Sequence, residues 1–238
     1  MRRGIIFVCA LLIGGMLSAK VKLPALWGDG MVLQQQAIVK LSGTTVPDKE
    51  VSVSVPWNLN TLTTISDKNT GKWSVDIATP QAGGPYEIKI IDGDTLAIKD
   101  VLIGEVWICS GQSNMEMRMM GNAAQPIDNS LETLLNAGNY RDRIRFITVP
   151  RIKDVQRRAD FKKEKWKVST PETTIDCSAT AYFFAKQITE TLNLPVGLVI
   201  NSWGGSRIES WMTEETLSSI QGIDIETAKS SKLDVRNR

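Results

Sequence analysis

Between about Val21 and Val101 apolar and polar residues alternate in short runs separated by turn-forming residues. Residues 37–41, 51–55, 61–65, 73–77, 86–90 and 96–101 tend to place apolar side chains at every second position, the spacing that turns one face of a strand into a core and the other into water. Pro47-Asp48, Asn69-Thr70-Gly71, Gly83-Gly84-Pro85 and Asp92-Gly93-Asp94 lie between the runs and supply turn chemistry. The near-regular spacing predicts an antiparallel β-sandwich over residues 20–101. No nucleophile or charge cluster stands out there, so this part reads as a spacer or a carbohydrate-contacting module.

After about Ile103 the period changes. Residues 106–109 form a short apolar run suited to a strand buried on both faces, and it ends abruptly at Ser110-Gly111. A helix is expected over 126–135, ending near Gly138, and a strand over 143–149. Residues 178–192 predict a helix whose apolar stripe is Ala181, Phe184, Ala185, Ile188 and Leu192. Asn193-Leu194-Pro195 stops it, and 196–200 reads as another buried strand. Strands alternating with helices mark an α/β layer domain over residues 102–238.

Residues 1–19 stand apart from both regions. Arg2 and Arg3 precede an uncharged apolar stretch, residues 4–17, and Leu17-Ser18-Ala19 offers a small-residue cleavage site. The stretch is too short to cross a bilayer with its flanks and reads as a secretory signal, with an uncleaved anchor as the alternative. Cleavage after Ala19 removes two arginines and no acid, so the mature chain, with 26 acidic side chains, is formally neutral. That balance implies no nucleic-acid partner. The leader implies a secreted or periplasmic protein without stable membrane insertion. Residues 141–167 carry eleven lysines and arginines interspersed with acids, which reads as a solvated surface rather than an anion-binding face. Cys109 and Cys177 remain after cleavage, either as buried thiols or as a disulfide.

The chain contains no histidine. The usual general base of serine and cysteine hydrolases, and the commonest metal ligand, are therefore missing from these 238 residues. Yet Ser113 lies just past the carboxyl end of a predicted buried strand, the edge where open α/β sheets bind ligands. Gly111 permits a tight strand-to-helix turn, and backbone N–H groups at the helix start can stabilise the oxyanion formed when Ser113 attacks an ester. Its pattern, G-x-S-x-M, departs from the G-x-S-x-G elbow of α/β-hydrolases. The alternative is that Ser113 only caps a helix beginning at Asn114. A second segment, from Asn201-Ser202-Trp203 through Gly204-Gly205 to Ser206-Arg207, also follows a buried strand. Paired glycines allow close backbone approach and a second N–H donor, or simply form a turn. Trp203 and Trp211 can stack on a sugar ring or fill core volume. Arg207 can pair with a substrate carboxylate, or with Glu209 or Glu214.

Residues 104–116, GEVWICSGQSNME, and 201–212, NSWGGSRIESWM, resemble the sialate O-acetylesterase group of the SGNH hydrolase superfamily. Residues 23–34, LPALWGDGMVLQ, and 71–75, GKWSV, are similar to the leader β-domain of its bacterial members. The resemblance implies an α/β protein in which the β-sandwich is followed by a flavodoxin-like, SGNH-type α/β/α domain, incomplete at its C-terminus here. It implies removal of acetyl groups from sugar hydroxyls, above all those of sialic acid, without metal or organic cofactor. By the same resemblance Ser113 is the nucleophile, its own N–H and a glycine N–H of Gly204 or Gly205 are oxyanion donors, and Gln112 is a lesser candidate for lining the site; Trp203 and Arg207 stay substrate-contact candidates on their own chemistry. The family's downstream Gln-Gly-Glu-type block and Asp-x-x-His pair do not occur in this sequence. Two expectations follow: an esterase whose general base is missing from this chain, or a catalytically inactive carbohydrate-binding protein. A lysine in place of histidine ranks last, because no lysine falls in either motif.

Overall fold

A computed structural model describes residues 20–152, 158–161 and 164–222. The expected leader at 1–19 and the polar tail after residue 222 lie outside the described residues. Strands β1 (Val32–Gln34), β2 (Ile38–Thr44), β3 (Glu50–Ser54), β4 (Leu62–Ile65), β5 (Lys72–Ala78), β6 (Gly83–Ile91) and β7 (Thr95–Gly111) come first. They are followed by α1 (Ser113–Glu116), α2 (Ser130–Leu135), β8 (Ile144–Thr148), β9 (Lys167–Val168), α3 (Pro171–Thr174), α4 (Ala179–Leu192), β10 (Val196–Ser202) and α5 (Glu214–Ser218).

The six alternating runs all become strands, β2 to β7. In β5, Trp73, Val75 and Ile77 point inward while Lys72, Ser74, Asp76 and Ala78 face solvent, as a period of two dictates. Strands β2 and β5 pair antiparallel and form one layer; β4, β3, β6 and the first part of β7 form the other. Between them lies a core that includes Met31, Leu41, Val51, Val53, Ile88 and Ile90. Each such fully buried side chain contributes roughly 1.5–3 kcal/mol relative to exposure.

Strand β7 is 17 residues long and belongs to both regions. Its first part pairs antiparallel with β6, residues 102–104 pair parallel with β1, and residues 105–111 pair parallel with β10. The expected boundary at 101/102 thus falls inside one strand rather than in a linker. β10 also pairs parallel with β8, and α4 packs against these strands around Cys109, Phe146, Tyr182, Ala185, Val196 and Leu198.

Two glycines make this crossing possible. A Cβ on Gly104 would lie 2.0 Å from the Pro195 carbonyl oxygen, and one on Gly197 would lie 2.6 Å from the Val32 Cβ. Around Gly104 the exposed ladder is completed by side chains from the end of β1. Gln34 Oε1 accepts the Val106 N–H, and the Gln34 and Gln35 amides donate to the Glu105 carboxylate.

Three expectations change in detail. Residues 106–109 are not buried on both faces: Trp107 is 43% and Ile108 75% exposed, because α4 covers one side only and meets Trp107 at its rim through Phe184. The run 126–135 is helical only from Ser130, since Asn129 takes a left-handed conformation (φ 58°) that interrupts it. On α4 the inward stripe is Ala181, Tyr182, Ala185 and Thr189, with Phe184 and Leu192 exposed. The helix is turned by Tyr182, whose hydroxyl bonds to the buried Ser169 Oγ at 2.6 Å. Cys109 and Cys177 are free, buried thiols, and burial pushes both thiol pKa values up.

Gly104→Ala forces the strand and the Pro195 carbonyl apart and costs about 3 kcal/mol, read as a lower urea midpoint with unchanged slope. In the folded protein neither Cys109 nor Cys177 reacts with a disulfide-exchange reagent at mildly alkaline pH, and both react once guanidinium unfolds the chain.

Candidate active site

Strand β7 ends at Gly111, and Gln112 turns the chain so that helix α1 begins at Ser113 itself. The helix cap is Gln112, not Ser113, and no side chain makes a cap bond there. The Ser113 hydroxyl is therefore not spent on its helix. It is exposed, and it reaches the Gln112 Oε1 at 3.5 Å, at the outer limit of a hydrogen bond.

The tip of β10 arrives beside it because the two strands are parallel and in register, Ser202 opposite Gly111. One further bond, from the Trp203 N–H to the Gly111 carbonyl (2.9 Å), carries the pairing past the strand end. The chain then turns through Gly204 and Gly205, the latter at φ 73°, where a side chain would be strained. Ser206, which is buried, pins this turn: its hydroxyl donates to the Trp203 carbonyl (2.7 Å) and accepts from the Trp211 indole N–H (2.8 Å). The Gln112 amide reaches the Ser206 carbonyl at 3.4 Å.

Gly204 comes close enough to α1 that a Cβ there would lie 3.6 Å from the Ser113 Cα and 2.7 Å from the Glu116 Oε2. Its N–H donates to that same Glu116 oxygen, while the other carboxylate oxygen accepts from Arg151. Ser113, Glu116, Arg118, Arg151, Ser202 and Gly204 line a cavity of about 680 Å³. Arg118 is held by Asp176 at 3.1 Å. A second cavity, about 440 Å³, has Asn201, Trp203, Phe161, Asp160 and Trp211 among its walls and shares Arg151 with the first. The alternation of β10 explains the division, with Ile200, Ser202 and Gly204 facing one cavity and Asn201 and Trp203 the other.

Of the residues singled out in the sequence, Ser113 and Gly204 meet in one cavity and Gln112 lies beside them. Gly205 is exposed past the turn, and Trp203 belongs to the neighbouring cavity. Arg207 lines neither; its guanidinium pairs with Glu209 at 2.7 Å, which raises its own pKa and lowers that of Glu209. Sequence reasoning missed Glu116, Arg118, Arg151 and Ser206. Glu116 was legible as an acid one helical turn after the serine. Arg151 was hidden in the basic stretch 141–167. That stretch is not uniformly solvated: Arg145 is buried and paired with Asp100 at 3.0 Å, and Arg151 reaches the cavity.

Comparison with known proteins bears on this pair of strand tips. The profile of a family described as "Carbohydrate esterase, sialic acid-specific acetylesterase" matches residues 103–230, more than half of the chain. The chain belongs to this esterase family. The sialate O-acetylesterases of Homo sapiens and Mus musculus are each 30% identical to it over 207 residues, covering 80% and 79% of this chain but 38% and 37% of their own length. A carbohydrate acetylesterase from Xanthomonas citri, known from its crystal structure, superposes with a TM-score of 0.77 at 31% identity, over 88% of this chain and 45% of that one. The chain therefore spans less than half the length of these esterase relatives. Both sequence motifs at the cavity fall inside the family match.

Ser206→Ala removes the hydroxyl that accepts from the Trp211 indole N–H and donates to the Trp203 carbonyl, which keeps the Ser206 backbone N–H at 3.3 Å. It costs about 1–3 kcal/mol and shifts tryptophan emission as the turn loosens, with the β-sandwich unaffected in far-ultraviolet circular dichroism.

Proposed function

We propose that the protein is a secreted serine esterase that removes O-acetyl groups from sialic acid or a related sugar, with Ser113 as nucleophile. The observation that supports it most is the convergence of Ser113 and the Gly204 N–H in one cavity at the tips of two parallel strands. The Ser113 hydroxyl attacks the acetyl carbonyl carbon. The carbonyl oxygen takes the developing negative charge and is met by the Gly204 N–H and the N–H of Ser113. The sugar oxygen leaves with a proton, and water then releases acetate from the acyl-serine. Residues 1–19, read as a leader, direct this activity to the periplasm or the exterior.

The proton acceptor for Ser113 is not a histidine of these residues, since the sequence has none. No lysine lines the Ser113 cavity among the described residues. Loss of a triad base slows such enzymes by about 10⁴–10⁶, the remainder coming from oxyanion donors and binding. The same missing histidine favours a second reading, a sugar-binding protein without turnover.

Exogenous imidazole separates the two. Acetate release from O-acetylated sialic acid by the 238-residue chain is expected to be barely above background. Imidazole is expected to raise it in the wild type and not in Ser113→Ala. An equal rise in both removes Ser113 as nucleophile. Tight saccharide binding with no imidazole response in either supports the binding protein.

A further inference from the structure

The Gly204 N–H, read above as an oxyanion donor, is already engaged. Its acceptor is the Glu116 carboxylate, which the motif itself supplies one turn of α1 after Ser113. Arg151 holds the second oxygen of that carboxylate. The Glu116 side chain is 28% exposed and lies inside the cavity, whereas Arg151, at 48%, stands at its rim. This is a charged acceptor in the position an ester oxygen has to reach, tethered by an ion pair.

We propose that Glu116 is a placeholder for the substrate oxygen: in the unliganded protein its carboxylate occupies the Gly204 N–H, and a substrate gains that donor only by displacing it. The inference rests on the reading of Gly204 as an oxyanion donor. Its chemical logic is a difference in acceptor strength. A backbone N–H bonds a carboxylate more strongly than a neutral ester carbonyl. The ground-state ester is therefore a poor competitor, and the tetrahedral intermediate, whose oxygen carries a full charge, competes on equal terms. Glu116 thus lowers the availability of the donor to every substrate oxygen, and only an acceptor of comparable charge displaces it. Acetate, the product, is itself a carboxylate, and the return of Glu116 to Gly204 opposes its retention. Glu116 is in this sense a positioning residue. It acts through the availability of an N–H and takes no proton from Ser113.

The chain as it stands suffices for the test. Amide resonances of Gly204 and Ser113 are followed while methylphosphonate, a tetrahedral anion, is added to the wild type, Glu116→Ala and Glu116→Asp. Aspartate keeps the charge but is one methylene too short to reach Gly204. In the wild type the Gly204 amide proton is expected far downfield, and in both variants it moves upfield. Both variants are expected to bind methylphosphonate about tenfold more tightly than the wild type, with shifts at both amides. A gain for alanine but none for aspartate means simple charge repulsion and overturns the placeholder. Equal affinity in all three overturns it while leaving the donor reading intact. Silence at both amides in every variant removes the donor reading, and the placeholder with it. If the alanine variant does not fold, the aspartate variant decides alone.

Discussion

At Gly104 the Pro195 carbonyl comes so near strand β7 that even a methyl group would lie 2.0 Å from its oxygen. The same carbonyl accepts the Glu105 N–H at 2.9 Å, so the close approach is the first rung of the β7–β10 ladder. Gly197 plays the matching part on β10, where the Val32 side chain of β1 occupies the space a Cβ would need. These two contacts set the register in which Ser202 lies opposite Gly111 seven residues later. A slip of one residue in a ladder turns every side chain to the other face. Here it would send Ser202 into the tryptophan-lined cavity and carry Gly204 away from Ser113. The geometry of the candidate site is thus fixed at the opposite end of the strands from the site itself.

Strand β7 transmits that constraint because it is continuous. The sandwich core holds its first part through Ile98 and Val101, and the α/β core holds its last part through Cys109. Both cores must form for the strand to be fixed at both ends. The glutamine pair at the end of β1 secures the junction, by satisfying a backbone N–H and a carboxylate that sheet pairing leaves over. A β-domain that supplied only a spacer would not need such a junction. This one aligns the strand that carries the serine.

How much of this the sequence shows depends on the range of the interaction concerned. Local alternation was enough for β2 to β7, because a strand with one face in a core announces itself every second residue. The two strand tips were legible for a related reason: glycine and serine after an apolar run signal a sharp turn at a sheet edge. What escaped was pairwise, whether within one turn or between distant segments. Ser206 answers Trp203 and Trp211 within a single turn, yet nothing in its neighbours says that its hydroxyl has two partners. Arg145 and Arg151 sit in one basic stretch, and only the fold sends the first to Asp100 and the second to Glu116. The inward stripe of α4 was misplaced because the hydroxyl of Tyr182 finds Ser169 inside the core, a match that hydrophobicity alone cannot foresee. Trp107 and Ile108 were expected to be buried because an apolar strand tells how much it wants cover, not whether a helix is there to supply it.

The absence of histidine then bears on one half of the chemistry only. Stabilising a developing oxyanion needs fixed dipoles, and in the proposed mechanism these are the backbone N–H groups of Gly204 and Ser113, which need no histidine. Moving the proton needs a group of suitable basicity beside Ser113. Glu116 is the nearest carboxylate on α1, but one oxygen is held by Arg151 and the other by an N–H. The carboxylate nearest the serine along α1 is therefore already engaged at both oxygens, and the Gly204 N–H is one of its partners. In the proposed mechanism electrostatic preorganisation and proton transfer are separate tasks, and only the second calls for a group of histidine's basicity.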